Sequence, residues 1–229
     1  MFECLEPTFI PKEGKDDYTK PSSFRPISLT SVYFKLMEKL IYQNLLDTVL
    51  KDNPLHPNQH GFRRGMSCKT ALSTVLNRLE KSVLEPGGVS LSVFLDVQGA
   101  FDNVNPYSAI KAMKKRGFPL KMISWYSGYL LNRLNLSKIK GVTNRRLLFL
   151  GTPQGGILSP LIWNIAIDEL LQALDGHRTK ACCFADDTNL TASGKVERLQ
   201  FARDSLQSAL DIACLWASEQ GLFFFGSGS

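Results

Sequence analysis

The chain lacks several features that would fix its class early. No apolar run reaches the roughly 20 residues needed to cross a bilayer as a helix, so no membrane partner is expected. The five cysteines include no CxxC pair, which removes the common zinc and redox spacings. That odd count, with no secretory leader, leads to an expectation of a reducing, intracellular setting, nucleus or cytoplasm, and not secretion. Only three histidines occur. His56 and His60 share a helical spacing, but Pro57 opposes the helix it would need, so no transition-metal site is expected. No internal repeat or disordered linker interrupts the chain before its tail.

What is present is a 229-residue chain, 44% hydrophobic, with 27 basic and 21 acidic residues and a formal net charge of +6. That length buries a real core, and that charge permits a phosphate backbone as partner. Lys111, Lys114, Lys115 and Arg116 form one basic cluster; Lys138, Lys140, Arg145 and Arg146 form another. Each reads equally well as a solvated face or a nucleic-acid contact.

Two adjacent acids, Asp186 and Asp187, follow the apolar run Ala181-Cys182-Cys183-Phe184 and precede a small, polar stretch. The pattern reads as two strands meeting at a tight turn that carries both carboxylates. An Asp-Asp dipeptide alone is most often a solvated turn. A second run, 89–95, alternates and ends in Asp96. Val89, Leu91, Val93 and Leu95 share one face; Ser90, Ser92, Phe94 and Asp96 share the other. This strand is expected to be largely buried. Laid beside the strand ending at Phe184, it would bring Asp96 to Asp186 and Asp187. Three carboxylates gathered from distant sequence suit a two-metal site for phosphoryl transfer, with ions about 4 Å apart. Between these acids lies Gly151-Thr152-Pro153-Gln154-Gly155-Gly156, followed by apolar residues at helical spacing. The glycines allow close backbone approach, and the loop presents Gln154 and free amides at a helix start; an ordinary helix start explains it as well.

These segments, with Ser23-Phe24-Arg25-Pro26-Ile27-Ser28-Leu29 and Gln59-His60-Gly61-Phe62-Arg63-Arg64-Gly65 upstream, resemble the reverse transcriptase domain of non-LTR (LINE-type) retrotransposons. Phe94 to Asp102 is similar to its first catalytic motif, Gly151 to Pro160 to its nucleotide- and template-positioning motif, and Phe184 to Asp187 to its acidic turn. The resemblance runs from about residue 8 to about residue 222.

It implies an RNA-directed DNA polymerase that joins a dNTP to a primer 3′-hydroxyl, with an RNA template, a DNA primer and two Mg2+ ions, or Mn2+ in their place. Asp96 and Asp186 would bind both ions, the Val97 carbonyl one of them, and Asp187 would complete the cluster. Phe101 would lie under the incoming sugar and exclude a ribose 2′-hydroxyl. Gln154 would bond near the templating base and the nucleotide. Arg63 would reach the triphosphate, and Arg25 the triphosphate or template. Lys12 reads better as a solvated lysine, and Asp102 as a structural cap near Pro106.

Helical periods cover 33–50, 69–84, 107–115, 120–134, 158–174 and 196–220, the last with Leu199, Phe201, Leu206, Leu210, Ala213 and Trp216 toward the core. A hairpin is expected at 136–140 and 145–150, joined near Gly141. The implied fold is α+β: a right-hand polymerase fingers–palm, with an antiparallel palm sheet, helices on one face and no thumb. Residues 1–88 would be mostly fingers, 89–222 palm and 223–229 an atypical tail. In the family, a Gly-Leu such as Gly221-Leu222 leads into a lysine-bearing polar segment; here Phe223-Phe224-Phe225 follows. That departure keeps a second reading open, a truncated, non-catalytic retrotransposon remnant that at most binds nucleic acid.

Overall fold

The computed structural model describes residues 3–139 and 142–224. In chain order the elements are β1 (Glu3–Pro11), β2 (Phe24–Leu29), α1 (Val32–Asp47), α2 (Val49–Asp52), α3 (Cys68–Val83), β3 (Gly88–Leu95), α4 (Ala100–Asn103), α5 (Pro106–Lys115), α6 (Leu120–Leu131), β4 (Arg133–Ile139), β5 (Val142–Leu148), α7 (Ser159–Leu174), β6 (Lys180–Phe184), β7 (Asp187–Lys195) and α8 (Leu199–Gln220). They form two compact units, Met1–Asn53 with Phe101–Ile162, and Pro54–Ala100 with Trp163–Ser229. Both units are discontinuous in sequence.

The first unit is built on a four-stranded sheet in the order β2-β1-β4-β5. β1 and β2 went unread in the sequence, because prolines mask their period. Pro7 and Pro11 are tolerated because β1 pairs with β4 only through Leu5; beyond it β1 has β2 as its single neighbour, so a missing N–H breaks no ladder. Helix starts follow their caps. Ser31 accepts from Phe34 N at 3.1 Å before α1, and Asn105 accepts from Tyr107 N at 2.9 Å before α5. The cap near Pro106 is therefore Asn105 and not Asp102. The helix expected over 33–50 breaks at Thr48 into α1 and α2, and that over 120–134 stops at Leu131 because Arg133 opens a strand. The hairpin of β4 and β5 forms; the link expected near Gly141 lies outside the described residues.

The second unit holds the three-stranded antiparallel sheet β3-β7-β6. α3 lays Ala71 and Val75 on Cys182. α8 packs on β7 and β3, presenting Ala202, Leu206, Ala209, Ala213 and Trp216. Five consecutive β7 residues, Thr188 to Thr191 and then Ala192, are buried. Successive strand residues face opposite ways, so both faces of this sheet are covered, where one covered face was expected. β3, expected to be largely buried, is half-buried with Phe94 exposed, and it pairs with β7, not with the strand ending at Phe184. Leu199 and Phe201 are exposed and not core residues; the Phe201 ring instead takes the Arg178 guanidinium at 4.4 Å. Phe223 and Phe224, expected in an atypical tail, return to the unit. Phe223 O accepts from Gln98 N at 2.8 Å, Phe224 bridges Val97, and its ring is buried.

Candidate active site

In the second unit β6 ends at Phe184 and β7 begins at Asp187, which pair with each other, leaving Ala185-Asp186 as a two-residue turn. Ala185 has φ 56°, a left-handed conformation costing a non-glycine residue about 1–2 kcal/mol. Hairpins usually place glycine there, so something must hold this alanine. Trp163, fully buried, donates its indole N–H to Ala185 O at 2.9 Å. Gly61 packs so tightly on the turn that a Cβ there would overlap Ala185 N and sit 2.8 Å from Ala185 Cα. Gly61 is itself tied, since its N–H donates to Gln59 Oε1 at 2.9 Å and its carbonyl accepts from Asn164 Nδ2 at 2.9 Å. The neighbouring backbone bonds to β6 as an added edge, His60 N to Cys183 O and Cys183 N to Asn58 O, each 2.8 Å. Burial pushes the Cys183 thiol, which lies against Thr188 Oγ1, up to about 12.

Asp96 follows β3. Because Leu95 pairs with Thr188, Asp96 falls level with Asp187 at the same end of the sheet. Antiparallel pairing through β7 thus places the three acids at one end of the sheet, by a different route from the one expected. Burial pushes the Asp186 carboxyl above the ordinary aspartate range, and the charges of Asp187 and Asp96 push it further. Burial and then Asp96 raise Asp187 as well. A cavity of about 370 Å³ opens here, lined by Leu72, Val75, Phe94, Asp96, Phe184 and Asp187 among others.

This donor set suits a hard divalent cation: several carboxylates, partly desolvated and mutually repelling. Their charge fits an ion, although among the described residues no three such side chains stand close enough to hold one. Val97 is buried at the same strand end.

Arg63, in the same unit, turns one nitrogen inward. Its Nη1 donates to His56 O at 2.7 Å and Gln59 O at 2.9 Å, bracing the segment that carries Gly61. Burial lowers its pKa.

The first unit holds Arg25, Phe101 and Gln154. Arg25 is exposed on β2, and Phe101 is half-buried in α4. The Gly151 loop is fixed by backbone bonds to the α4 turn, Thr152 N to Phe101 O and Gly151 N to Val104 O, both 2.7 Å. Gly151 has φ 81°, and a Cβ there would lie 2.5 Å from Asp102 O. Arg133, 2% exposed, donates to Leu150 O and Gly151 O at 2.7 Å and to Leu130 O at 3.1 Å. Glu38, fully buried, accepts from Ile157 N at 3.1 Å and Leu158 N at 3.4 Å, capping the start of α7 with a negative charge. Gln154 O accepts from Ser28 N at 2.7 Å, and Gln154 Nε2 donates to Asp102 at 2.8 Å. Lys12, half-buried, donates to Ser22 O at 3.0 Å.

The sequence did not point to Glu38, Arg133 or Trp163. Glu38 left a trace, a charge on the stripe of Phe34 and Leu45. Arg133 and Trp163 left none.

Residues 10–224 match the sequence family described as reverse transcriptase (RNA-dependent DNA polymerase). The chain belongs to that family. Among curated relatives, this reverse transcriptase domain is 31% identical over 216 residues to a probable RNA-directed DNA polymerase from transposon BS of Drosophila melanogaster, covering 90% of the chain and 23% of the relative. It is 28% identical to the Pol polyprotein of the type-1 retrotransposable element R2 of Popillia japonica, covering 84% of the chain and 28% of the relative. The chain thus spans about a quarter of the length of these relatives, which are polymerases of non-LTR elements. Among solved structures, telomerase from Candida tropicalis, in complex with a fragment of telomeric RNA, superposes with a TM-score of 0.68 at 14% identity, over all of this chain and 42% of that one. Telomerase from Candida albicans gives 0.67 at 11% identity, over 98% of this chain and 42% of that one. At such identities the likeness concerns the fold, which is the α+β fingers–palm of reverse transcriptases. Among the described residues, no helix is long and apolar enough to cross a membrane.

Proposed function

We propose that this domain is the core of an RNA-directed DNA polymerase, transferring a deoxynucleotide from a dNTP to a primer 3′-hydroxyl during retrotransposon replication in the nucleus or cytoplasm. The observation that carries the reading is the acidic turn: Asp186 and Asp187 on a hairpin held in a strained conformation, with Asp96 level with them at the strand end. Burial and then neighbouring charge disfavour the ionised Asp186 and Asp187 without structural benefit, a cost relieved when the acids hold cations.

Asp96, Asp186, Asp187 and the Val97 carbonyl would hold two divalent cations, Mg2+ or Mn2+. When bound, such ions neutralise phosphate charge and lower the pKa of a bound hydroxyl. The remaining work falls to the chain. The brace of Gly61 and Trp163 keeps Asp186 from drifting, which matters because a misplacement of about 1 Å can cost on the order of 100-fold in rate. Phe101 supplies an aromatic ring against the sugar and so selects deoxyribose. Gln154 contacts the nucleotide and templating base. Arg63 meets the triphosphate with the edge not engaged on His56 and Gln59, and Arg25 adds a second cation. The segment 101–162 carries ten lysines and arginines and one acid, charge suited to the phosphates of an RNA template and DNA primer.

A second reading, nucleic-acid binding without polymerisation, draws on the carboxylates not standing close enough to hold an ion. Primer extension on an RNA template with Mg2+ separates the two. Extension that disappears in Asp186→Asn supports the polymerase; no extension by the unmodified chain in Mg2+ or Mn2+ sinks it.

A further inference from the structure

We propose that Asp102 is a positioning residue: its carboxylate holds the Gln154 side-chain amide with Nε2 turned toward α4, so that Oε1 is the end offered to the nucleotide. This deepens the polymerase reading, which supplies the nucleotide contact of Gln154, and rests on it.

The backbone of Gln154 has little freedom left. Its carbonyl accepts from Ser28 N at 2.7 Å, and the preceding Pro153 carbonyl accepts from Gly156 N at 3.0 Å and Ser159 Oγ at 2.8 Å. What remains open is the direction of the side-chain amide. Its two ends are alike in shape and opposite in hydrogen bonding, so the partner decides which faces in. That partner is Asp102, at 2.8 Å from Nε2. An ionised carboxylate only accepts, so it admits one of the two orientations.

Asp102 is a fixed point. It sits in α4, where the carbonyls of Phe101 and of Val104 just beyond the helix accept from the Gly151 loop at 2.7 Å, and Gly151 is close enough to exclude any side chain larger than hydrogen. Desolvation raises its pKa, against the Gln154 bond and the positive charges of Lys12 and Arg133, which lower it; the residue itself remains exposed to solvent. Protonated, Asp102 would donate to Oε1 and the amide would turn round. With Oε1 outward, Gln154 selects a hydrogen-bond donor on the nucleotide and not a phosphate oxygen.

The test uses the full chain labelled with 15N, the Gln154 amide pair being assigned by its loss in Gln154→Glu. In the wild type the pair should shift on acidification, with a midpoint above that of an ordinary aspartate; in Asp102→Asn it should stay fixed. In primer extension, Asp102→Leu should raise the KM for dNTP about ten-fold with kcat nearly unchanged. Asp102→Asn, which offers both an acceptor and a donor and so admits either orientation, should recover only part of that loss. A pair that ignores both pH and Asp102→Asn overturns the proposal. So does an Asp102→Leu variant that loses kcat and thermal stability while KM holds, the mark of a purely structural residue. If the wild type extends no primer, the polymerase reading fails by itself and the amide titration still decides the orientation of Gln154.

Discussion

The turn at Ala185-Asp186 and the loop at Gly151–Gln154 are both held tightly, one in each unit, by different means. The acidic turn is held by shape. Gly61 leaves no room beside Ala185, one indole N–H takes the Ala185 carbonyl, and β6 gains an edge from residues 58–60. The Gln154 loop is held by buried charge, with Arg133 on three carbonyls and Glu38 on two amides. The difference has a reason. The turn already carries two carboxylates, and further acids would add repulsion, so the groups that touch it are neutral and the Arg63 guanidinium acts one step back, on the His56 and Gln59 carbonyls. The loop leads into α7, whose unsatisfied amides favour a carboxylate, and it has carbonyls that a guanidinium can serve in numbers.

If that contrast is right, the largest stability loss comes from the charged brace. Arg133→Leu should cost about 3–5 kcal/mol in urea unfolding, because three buried carbonyls lose their donor together; a loss under about 1 kcal/mol would mean that the loop does not depend on charge. Next comes the steric brace. Gly61→Ala should lower primer extension about 100-fold through displacement of Asp186, with a stability loss of about 1–3 kcal/mol. Full activity in that variant would show that the turn does not rely on close packing. Trp163→Phe keeps most of the ring and removes the N–H, so it should cost about 1–2 kcal/mol by denaturant titration. A neutral result would move the credit from the hydrogen bond to packing alone.

The smallest effect separates the turn's geometry from its electrostatics. The Asp186 pKa is raised in the fold, so the folded state binds more protons than the unfolded one. Stability then falls as pH rises above the unfolded value of about 3.9 and levels off past the folded value. Without divalent ions, Asp186→Asn should therefore melt about 2 °C higher than wild type at pH 7, with the gap closing in mild acid. Mg2+ should raise the melting temperature of the wild type and not of the variant. An identical response in both would argue against Asp186 as an ion ligand.

The acidic turn, the strand ending at Asp96, the glycine loop before a helix and most helices were legible in sequence, because each is local: a period, a cap or a turn pair within a few residues. β1 and β2 were not, since their prolines erase a period that only pairing explains. Asp102 was misread because a cap is a local habit, whereas its partner Gln154 is distant in sequence. Leu199 and Phe201 were placed in the core by period alone, which marks a stripe but not where its cover ends.

By itself the sequence determined the family, the acids and the order of the motifs, since these depend on residue type and spacing. Only the tertiary structure decided that Asp96 comes level with Asp187 through β7, that Gly61 must lack a side chain because Ala185 lies against it, and that Glu38 and Arg133 are buried as braces. Each of these is a meeting of residues far apart in the chain. Such meetings are set by pairing register and by the need to satisfy buried polar groups, and neither leaves a local mark in the sequence.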